Sequence, residues 1–302
     1  MKLAVTGGAG FIGSYLVKEI INQNNTPLII DSLYRGKLEN LLPHKDYEFQ
    51  KIDIRDFEKL RDALKNVDGI FHEAALTDVQ ESFTKKEEYI DVNVRGTENV
   101  FKIAKEFGLK VVYASSSSVY GNPKKIPIIE NSQRVPINPY GNTKLDDEVL
   151  AEKYAKEGVS IIGLRYFNVY GIGQTGSYAG VITKFINQLK EGKSPVIFGN
   201  GSQIRDFIFV GDVAKANIYA MNSKVSSGFF NIGTGITTSI QQLAHTMIDL
   251  SGLKLKPQYE KPLDGDVQES QADTRFTKEM LGWEYEVSLK DGLAKFFPLN
   301  TN

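Results

Sequence analysis

The 302-residue sequence contains no cysteine and only three histidines, His44, His72 and His245. Without cysteine the chain can form no disulfide, thiol nucleophile or thiolate metal site, and such a composition fits a reducing cytoplasm. The three histidines lie far apart in sequence, so we expect structural roles for them and no metal site. The formal net charge of −1 gives the chain no overall field that would attract nucleic acid or an anionic membrane.

Long apolar runs are also missing. No run approaches the roughly 18 residues that a membrane-spanning helix needs, and the opening MKLAVTGGAG does not have the composition of a signal peptide. We therefore expect a cytoplasmic protein with no membrane partner. With 41% hydrophobic and 24% charged residues, the sequence is instead typical of a globular protein with a substantial core.

Short apolar runs alternate with longer amphipathic stretches through the first half of the chain. Runs such as KLAVTG, PLIID and KVVYAS predict strands, whereas SYLVKEIINQ and FEKLRDALKNV have the apolar spacing of helices. Strands that alternate with helices indicate βαβ units around a buried parallel sheet. The sequence therefore predicts an α/β fold with a doubly wound, Rossmann-type sheet.

A glycine-rich turn, TGGAGFIG, directly follows the first predicted strand and opens the first helix. Gly8, Gly10 and Gly13 fit the pattern G-x-G-x-x-G, while Gly7, Gly10 and Gly13 fit the related G-x-x-G-x-x-G. Glycines at these positions permit a tight turn and let backbone N–H groups approach a pyrophosphate, and the helix N-terminus favours an anion. The turn therefore predicts a dinucleotide cofactor.

Carboxylates at the ends of the next strands suggest which dinucleotide binds. Asp31 ends the second apolar run, where a carboxylate can accept hydrogen bonds from an adenosine ribose and would repel a 2′-phosphate. This favours NAD, although Arg35 and Lys37 nearby leave NADP as an alternative. IDIRD ends the third strand, so we expect Asp53 and Ile54 to reach the adenine.

NPYGNTK places Tyr140 and Lys144 four residues apart, on one face of a predicted helix. An unperturbed tyrosine has a pKa of about 10, so about one in a thousand is a phenolate at pH 7. A neighbouring ammonium stabilises the phenolate form. Because the pair follows a predicted dinucleotide-binding fold in the chain, it predicts a general base for a sugar or alcohol hydroxyl.

Four serines, Ser115–Ser118, follow the predicted strand KVVYA, where that strand reaches the carboxyl edge of the sheet. Ligands of such sheets bind at this edge, so the position indicates a site and not a linker. We expect one hydroxyl of the tract to act in chemistry and Ser115 to satisfy local backbone groups.

The strand–helix alternation loosens after about Asn168, where glycines crowd residues 171–180. Helices within residues 179–192 and 239–252, with short strands between them, predict a smaller α+β region that caps the carboxyl edge of the sheet. We therefore divide the chain into a dinucleotide-binding domain, residues 1–168, and a mainly substrate-binding domain, residues 169–302. A segment near residues 205–235 could cross back to the first domain.

Six segments occur in an order and spacing that resemble the extended short-chain dehydrogenase/reductase family: TGGAGFIG, HEAA, YASSSSVYG, NPYGNTK, LRYFNVYG and RDFIFVGDVA. Within that family the chain looks most like the NAD-dependent nucleotide-sugar epimerases that act on UDP-galactose and UDP-glucose. The resemblance covers residues 1 to about 283. It implies an isomerase that inverts C4 of a UDP-hexose through a 4-keto intermediate, with bound NAD as the hydride carrier.

The resemblance implies a role for individual residues. Tyr140 would be the acid and base, Lys144 would tune it and bind the nicotinamide ribose, and Ser116 would hydrogen-bond the reacting hydroxyl. Ser117 is the alternative if the loop is offset by one. Asn93 would order the active-site backbone. The cofactor residues implied are Gly7, Gly10, Phe11, Ile12, Gly13, Asp31, Asp53, Ile54, Ala74, Ala75, Asn93, Tyr140 and Lys144.

Ser116 and Tyr140 would also contact the substrate. For the rest of the substrate, the resemblance implies that Asn168 contacts the nucleotide sugar, Val181 contacts uracil and Arg205 binds the diphosphate. Ser270 stands where some relatives carry a bulky tyrosine, and a small residue there could admit a C2 N-acetyl group. Leu263 stands where many relatives carry a second diphosphate-binding arginine, and what replaces that contact stays open.

Several alternatives to UDP-hexose epimerisation remain: a 4-epimerase of UDP-N-acetylhexosamine or UDP-glucuronate, a nucleotide-sugar dehydratase or decarboxylase, and a non-catalytic NAD-binding regulator. Relatives that eliminate water or carbon dioxide usually carry acidic residues where this chain has Ser117 and Ser118, whose hydroxyls do not ionise near neutral pH. Retention of the predicted serine, tyrosine and lysine together argues against the regulator. Two helices match those that pair in dimeric relatives, so a homodimer is expected.

Overall fold

The computed structural model describes residues 1–42, 45–174, 180–262 and 267–297. Its strands are β1 (Lys2–Thr6), β2 (Thr26–Asp31), β3 (Glu48–Lys51), β4 (Gly69–His72), β5 (Lys110–Ser116), β6 (Ile161–Tyr166), β7 (Asn168–Tyr170), β8 (Val196–Phe198), β9 (Ile204–Arg205), β10 (Phe207–Phe209), β11 (Ser227–Ile232), β12 (Thr238–Ser239) and β13 (Gln258–Glu260). Its α-helices are α1 (Phe11–Asn22), α2 (Phe57–Leu64), α3 (Val79–Thr84), α4 (Lys86–Tyr89), α5 (Gly96–Phe107), α6 (Pro139–Lys156), α7 (Val181–Lys190), α8 (Val210–Asn222), α9 (Ile240–Ser251), α10 (Arg275–Leu281) and α11 (Leu289–Ala294).

Seven of these strands form one sheet in the order β11-β6-β5-β4-β1-β2-β3, and every neighbouring pair in it is parallel. The strand order reverses between β1 and β4, which creates a crevice outside their carboxyl ends. The predicted doubly wound α/β sheet is therefore confirmed. Its crevice opens beside Thr6 and His72, the last residues of those two strands.

Helices cover both faces of the sheet, which explains why strands such as β4 and β6 are buried along their whole length. On one face α1 and α8 contribute Leu16, Val17 and Val213 to a shared core with the sheet. On the other face α2, α5 and α6 contribute Leu60 and Phe101 among others. This burial fixes the strand ends, and thereby the residues that follow them.

The smaller α+β region also forms. Three short strand pairs, β7 with β10, β8 with β13 and β9 with β12, lie beside the main sheet. Helices α7, α9 and α11 pack around a separate core that includes Phe185, Leu243 and Met247. Strand β11 joins the edge of the main sheet, and α8 packs against α1. The proposed domain boundary after residue 168 stays a prediction.

Several elements are not predicted from the sequence: the helices α3, α4, α8, α10 and α11, and a π-helix at Ile90–Arg95. Helix α8 buries eight of its thirteen residues, so apolar residues lie on most of its faces and leave little amphipathic signal.

His72 has the structural role expected, because its ring contacts the hydroxyls of Thr6 at 2.6 Å and Thr97 at 2.8 Å. His44 lies outside the described residues. Across the described ranges, no helix is both long and apolar enough to cross a membrane.

Candidate active site

A cavity of about 420 Å³ lies at the carboxyl edge of the sheet. Residues that follow β1, β2, β4, β5 and β6 form most of its wall, as the crevice of a doubly wound sheet requires. Fourteen of the predicted residues line it: Gly7, Gly10, Phe11, Ile12, Gly13, Asp31, Asp53, Ile54, Ala74, Ala75, Ser116, Tyr140, Lys144 and Asn168. The sheet topology thus brings together side chains that are spread over 160 residues of sequence.

Two glycines of the turn, Gly7 and Gly13, have no room for a side chain. Gly7 has a φ of +72°, and a Cβ there would lie 2.7 Å from the backbone nitrogen of Ala74. A Cβ on Gly13 would collide with the carbonyl oxygen of Gly7. Gly10 is the N-cap of α1, so the N–H groups of the first turn have no capping side chain from that residue. Such a close, donor-rich backbone fits the pyrophosphate of a dinucleotide.

Asp31 lies at the same cavity, and its carboxylate is held by the backbone. One carboxylate oxygen accepts a hydrogen bond from Ala9 N–H at 3.0 Å, and the other accepts one from Leu33 N–H at 2.8 Å. Burial raises the pKa of Asp31, although the two backbone hydrogen bonds oppose the rise. Each oxygen keeps a lone pair for a further donor, so the carboxylate fits the ribose hydroxyls predicted for it.

Three ion pairs, formed by Arg55 and Arg35, secure neighbouring parts of the wall. The Arg55 guanidinium donates to Asp53 at 2.6 Å and to Asp91 at 2.9 Å. Its hydrogen bond lowers the pKa of Asp53. Arg35, which kept NADP as an alternative, is ion-paired with Glu81 of α3. A 2′-phosphate would therefore compete with this carboxylate for the Arg35 guanidinium.

Helix α6 carries the predicted tyrosine in its first turn. Asn138 is the N-cap, and its side chain accepts a hydrogen bond from Gly141 N–H at 2.8 Å. Pro139 occupies the first helical position, where its missing N–H costs nothing. The N–H of Tyr140 donates to the hydroxyl of buried Ser82 at 3.2 Å. These contacts fix the backbone from which the phenol projects.

Lys144 is only 3% exposed. Its ammonium donates to the carbonyl of Ala114 at 3.0 Å and to the carboxylate of Asp147 at 3.2 Å. Burial opposes the charge, but Asp147 and Tyr140 raise the pKa of Lys144 above its ordinary value. Burial raises the pKa of Asp147 to about 7. Lys144 therefore carries its positive charge beside Tyr140, where it can stabilise a phenolate.

Two residues of the serine tract, Ser115 and Ser116, make different contacts. Ser116 lines the cavity, and its hydroxyl oxygen accepts a hydrogen bond from Ser118 N–H at 3.1 Å. That contact leaves the hydroxyl proton free to donate to a ligand. Ser115 instead donates to the carboxylate of Glu148 at 2.7 Å, a side chain and not the backbone group expected.

Asn93 is fully buried in the π-helix and joins three segments. Its side chain accepts from Leu76 N–H at 2.7 Å and donates to the Leu76 carbonyl at 2.9 Å. It also donates to the hydroxyl of Thr143 on α6 at 3.0 Å. These bonds tie down the backbone beside the cavity and connect it to the helix that carries Tyr140, although Asn93 itself is not in the cavity wall among the described residues.

The other predicted substrate residues, besides Ser116 and Tyr140, lie on or beside the smaller region. Asn168 lines the cavity and stands opposite Phe207 in the β7–β10 pair. Its N–H donates to the carbonyl of Asp206 at 3.0 Å. The segment that carries Arg205 therefore begins next to the cavity wall. Asp206 in turn accepts hydrogen bonds from the loop at Thr234, which anchors this segment.

Arg205 and Ser270 come together at one carbonyl. The Arg205 guanidinium donates to the Ile204 carbonyl at 2.8 Å, and Ser270 N–H donates to the same oxygen at 3.2 Å. Val181 opens α7, directly after the cavity-lining Gly180. None of Val181, Arg205 and Ser270 is in the cavity wall among the residues that the structure describes. Leu263 lies outside the described residues.

Among the cavity-wall residues that were not predicted from the sequence, Glu73 and Tyr166 form a hydrogen-bonded pair. The Tyr166 hydroxyl donates to the Glu73 carboxylate at 2.8 Å. Glu73 could have been found from the sequence, because it directly follows an apolar parallel strand and such positions lie at the ligand-binding edge of the sheet.

Within the described ranges, no group of His, Asp and Glu residues could hold a metal ion.

The fold and the cavity define a class of dinucleotide-dependent enzyme in which a tyrosine, a lysine and a serine face the cofactor cleft. Residues 3–233 match the sequence profile of the NAD dependent epimerase/dehydratase family. The chain therefore belongs to this family, and its cofactor is NAD. The resemblance seen in the sequence motifs is confirmed.

Three relatives indicate the range of activities near this chain. A Methanocaldococcus jannaschii protein, provisionally named a UDP-glucose 4-epimerase, is 39% identical over 97% of this chain and 96% of its own length. A Bacillus cytotoxicus UDP-N-acetyl-alpha-D-glucosaminuronate decarboxylase is 33% identical over 97% of this chain and 96% of its length. The crystal structure of Thermotoga maritima UDP-glucose 4-epimerase with UDP-glucose has a TM-score of 0.93 and 35% identity, over 97% and 96% of the two chains.

Proposed function

We propose that this chain inverts C4 of a UDP-hexose and so interconverts UDP-glucose and UDP-galactose. The observation that supports this most is the single cavity whose wall combines the glycine turn with Ser116, Tyr140 and Lys144. Oxidation and reduction of one carbinol carbon need a dinucleotide and a hydroxyl base at the same place. The 4-epimerase names of the Methanocaldococcus and Thermotoga relatives support the same reaction.

In this proposal Tyr140 is the proton acceptor and donor. As a phenolate beside the Lys144 ammonium, it takes the proton of the sugar 4-hydroxyl while Ser116 donates a hydrogen bond to the same oxygen. NAD, when bound, supplies the hydride acceptor and then the hydride donor. After the flat 4-keto sugar has turned over in the cavity, Tyr140 returns the proton. The cycle consumes no co-substrate, so the enzyme needs to bind its cofactor tightly and not exchange it.

We propose that Arg205 binds the diphosphate of the substrate, with Asn168 and Val181 contacting the rest of the UDP-sugar. An arginine suits a diphosphate because its planar fork can donate to two oxygens at once. Arg205 is 8% exposed and lies on the segment that begins beside the cavity, which supports this role. The UDP-glucose bound to the Thermotoga relative supports a nucleotide-sugar ligand.

A UDP-N-acetylhexosamine is the second candidate substrate. Ser270 is small, buried and adjacent to Arg205 through the Ile204 carbonyl, and a small side chain at this position supports a substrate with a C2 N-acetyl group. The Bacillus relative acts, by its name, on an N-acetylated UDP-sugar. That relative is a decarboxylase, but Ser117 and Ser118 of this chain offer no acidic group for such an elimination.

Substitution of Tyr140 by phenylalanine tests the proposed base. Y140F should lower turnover by at least about 100-fold, because it removes a general acid and base, and should leave the bound NAD content unchanged. Tyr154→Phe is the matched control, since Tyr154 is on the same helix and its hydroxyl meets Glu98 at 3.4 Å. Turnover in Y140F equal to that of the control would contradict the assignment.

A further inference from the structure

Glu73 is an acidic group in the cavity that the proposed proton transfers do not use. It follows His72 at the carboxyl end of β4 and lines the cavity together with Tyr166. The Tyr166 hydroxyl donates to one oxygen of its carboxylate at 2.8 Å and accepts a hydrogen bond from Asn217 at 2.7 Å. Since a phenol has one proton, this chain of bonds directs that proton to Glu73, which acts as the acceptor.

The pair lies at the end of the cavity where the proposed chemistry occurs. Tyr166 is the last residue of β6 and is the sheet partner of Ser116, the last residue of β5. Glu73 also interacts electrostatically with Lys144. Both neighbours belong to the predicted catalytic set and line the same cavity as Glu73, so we place the carboxylate near the part of the cavity where the proposed reaction exchanges hydride.

The groups that act on the charge of Glu73 come from three elements. Tyr166 on β6 and Lys144 on α6 favour the carboxylate, and Asn217 of α8 acts through Tyr166. His72, the residue before Glu73, contacts Thr6 and Thr97 instead. Burial outweighs these contributions and raises the pKa of Glu73 to about 7. The carboxyl group therefore ionises as the pH rises through neutrality.

We propose that the Glu73 carboxylate sets the balance between oxidised and reduced cofactor in this enzyme. The oxidised nicotinamide ring carries a positive charge that the reduced ring lacks, so a nearby carboxylate stabilises the oxidised form selectively. An epimerase that must return its hydride in every cycle benefits from this bias, because a cofactor left in the reduced form is inactive toward the next substrate. The inference rests on the proposed hydride chemistry.

The test is the reduction potential of the bound cofactor in the absence of sugar. The holoenzyme is equilibrated with a redox dye, and the reduced fraction is read from the near-ultraviolet absorbance of the reduced nicotinamide. Above pH 8, Glu73→Gln should raise the ratio of reduced to oxidised cofactor about tenfold, or about 30 mV for a two-electron couple. Below pH 6 the difference from the wild type should disappear, because Glu73 is then protonated.

Two further variants make the result specific. Glu88→Gln removes a carboxylate from another part of the same cavity wall and should leave the potential unchanged. Tyr166→Phe keeps the Glu73 carboxyl group but removes the hydrogen bond that favours its charged form. The pKa of Glu73 should therefore rise, and the potential of Tyr166→Phe should separate from that of Glu73→Gln only at a higher pH than in the wild type.

Equal potentials for Glu73→Gln and the wild type above pH 8 would overturn the proposal, and so would an equal shift in Glu88→Gln. A shift that does not depend on pH would overturn it as well. Because no sugar is present, these outcomes are separate from the question of epimerisation. Absence of sugar turnover with a normal Glu73-dependent potential would count against the proposed function alone.

Discussion

At the scale of single residues, the site depends on charged side chains that are almost completely buried. Lys144 and Asp147 form such a pair on α6, at 3.2 Å, and both are at most 3% exposed. The position of Tyr140 and Lys144 on one helix face could be read from their spacing. Asp147 could not be identified in this way, because an acidic residue on a helix is usually exposed and only the tertiary packing buries it.

Asp147 makes stability depend on pH. Its pKa is about 7 in the folded protein against 3.8 for the free side chain, so the folded state holds the proton more tightly. Between pH 4 and 7 the folded state therefore binds more protons than the unfolded chain, and stability falls as the pH rises. Asparagine cannot ionise, so Asp147→Asn should escape this loss.

Urea unfolding at pH 5 and pH 8 measures the effect. Relative to the wild type, D147N should gain about 1–3 kcal/mol of unfolding free energy between pH 5 and pH 8. Its absolute stability at pH 5 can be lower, because the variant weakens the contact to Lys144. Wild-type and D147N curves that stay parallel over this range would show that Asp147 keeps an ordinary pKa.

At the scale of elements, α6 is fixed to the sheet by a second buried network. Glu148 accepts a bidentate contact from Arg165 of β6, at 2.7 and 2.8 Å, and a hydrogen bond from Ser115 of β5. Arg165 also donates to the hydroxyl of Tyr120 at 2.7 Å. These bonds connect the helix of the proposed base to the two strands beside it. Such a network keeps catalytic groups in register.

Removal of Glu148 should therefore be costly. Glu148→Ala leaves Arg165 buried without its main partner and should lower the unfolding free energy by about 3–5 kcal/mol. Glu152→Ala is the control one turn further along α6, because Glu152 is 42% exposed and bonds only Arg134 among the described contacts. Its cost should stay below about 1 kcal/mol. Equal losses in the two variants, measured by urea unfolding, would exclude the buried network as the main anchor.

The sequence predicted most elements of the sheet region, because their apolar periods are regular. It did not predict the π-helix at Ile90–Arg95, although Asn93 within it was identified from the motif around it. A π-helix depends on a local change of hydrogen bonding that leaves no periodic signal. The charged residues on the buried face of α6 likewise obscure its amphipathic pattern, since Lys144, Asp147 and Glu148 all point inward.

At the scale of the whole molecule, the sheet order places a crevice at the carboxyl ends of β1 and β4. The glycine turn, the tyrosine helix and the serine tract meet there because each follows a parallel strand at the same edge. This convergence could be predicted from the order of the motifs. The shared hydrogen bonding of Arg205 and Ser270 to the Ile204 carbonyl could not, because it depends on how β9 meets the loop at residues 268–270. The homodimer expected from α5 and α6 stays a prediction.

The reaction itself is tested most directly by incubating the purified holoenzyme with a panel of UDP-sugars. The panel contains UDP-glucose, UDP-galactose, UDP-N-acetylglucosamine and UDP-glucuronate, and the products are identified by NMR. We predict that UDP-glucose and UDP-galactose are each converted to a mixture of the two, without added cofactor and without loss of water or carbon dioxide. A product that has lost either, or no conversion of any sugar while NAD remains bound, would contradict the account.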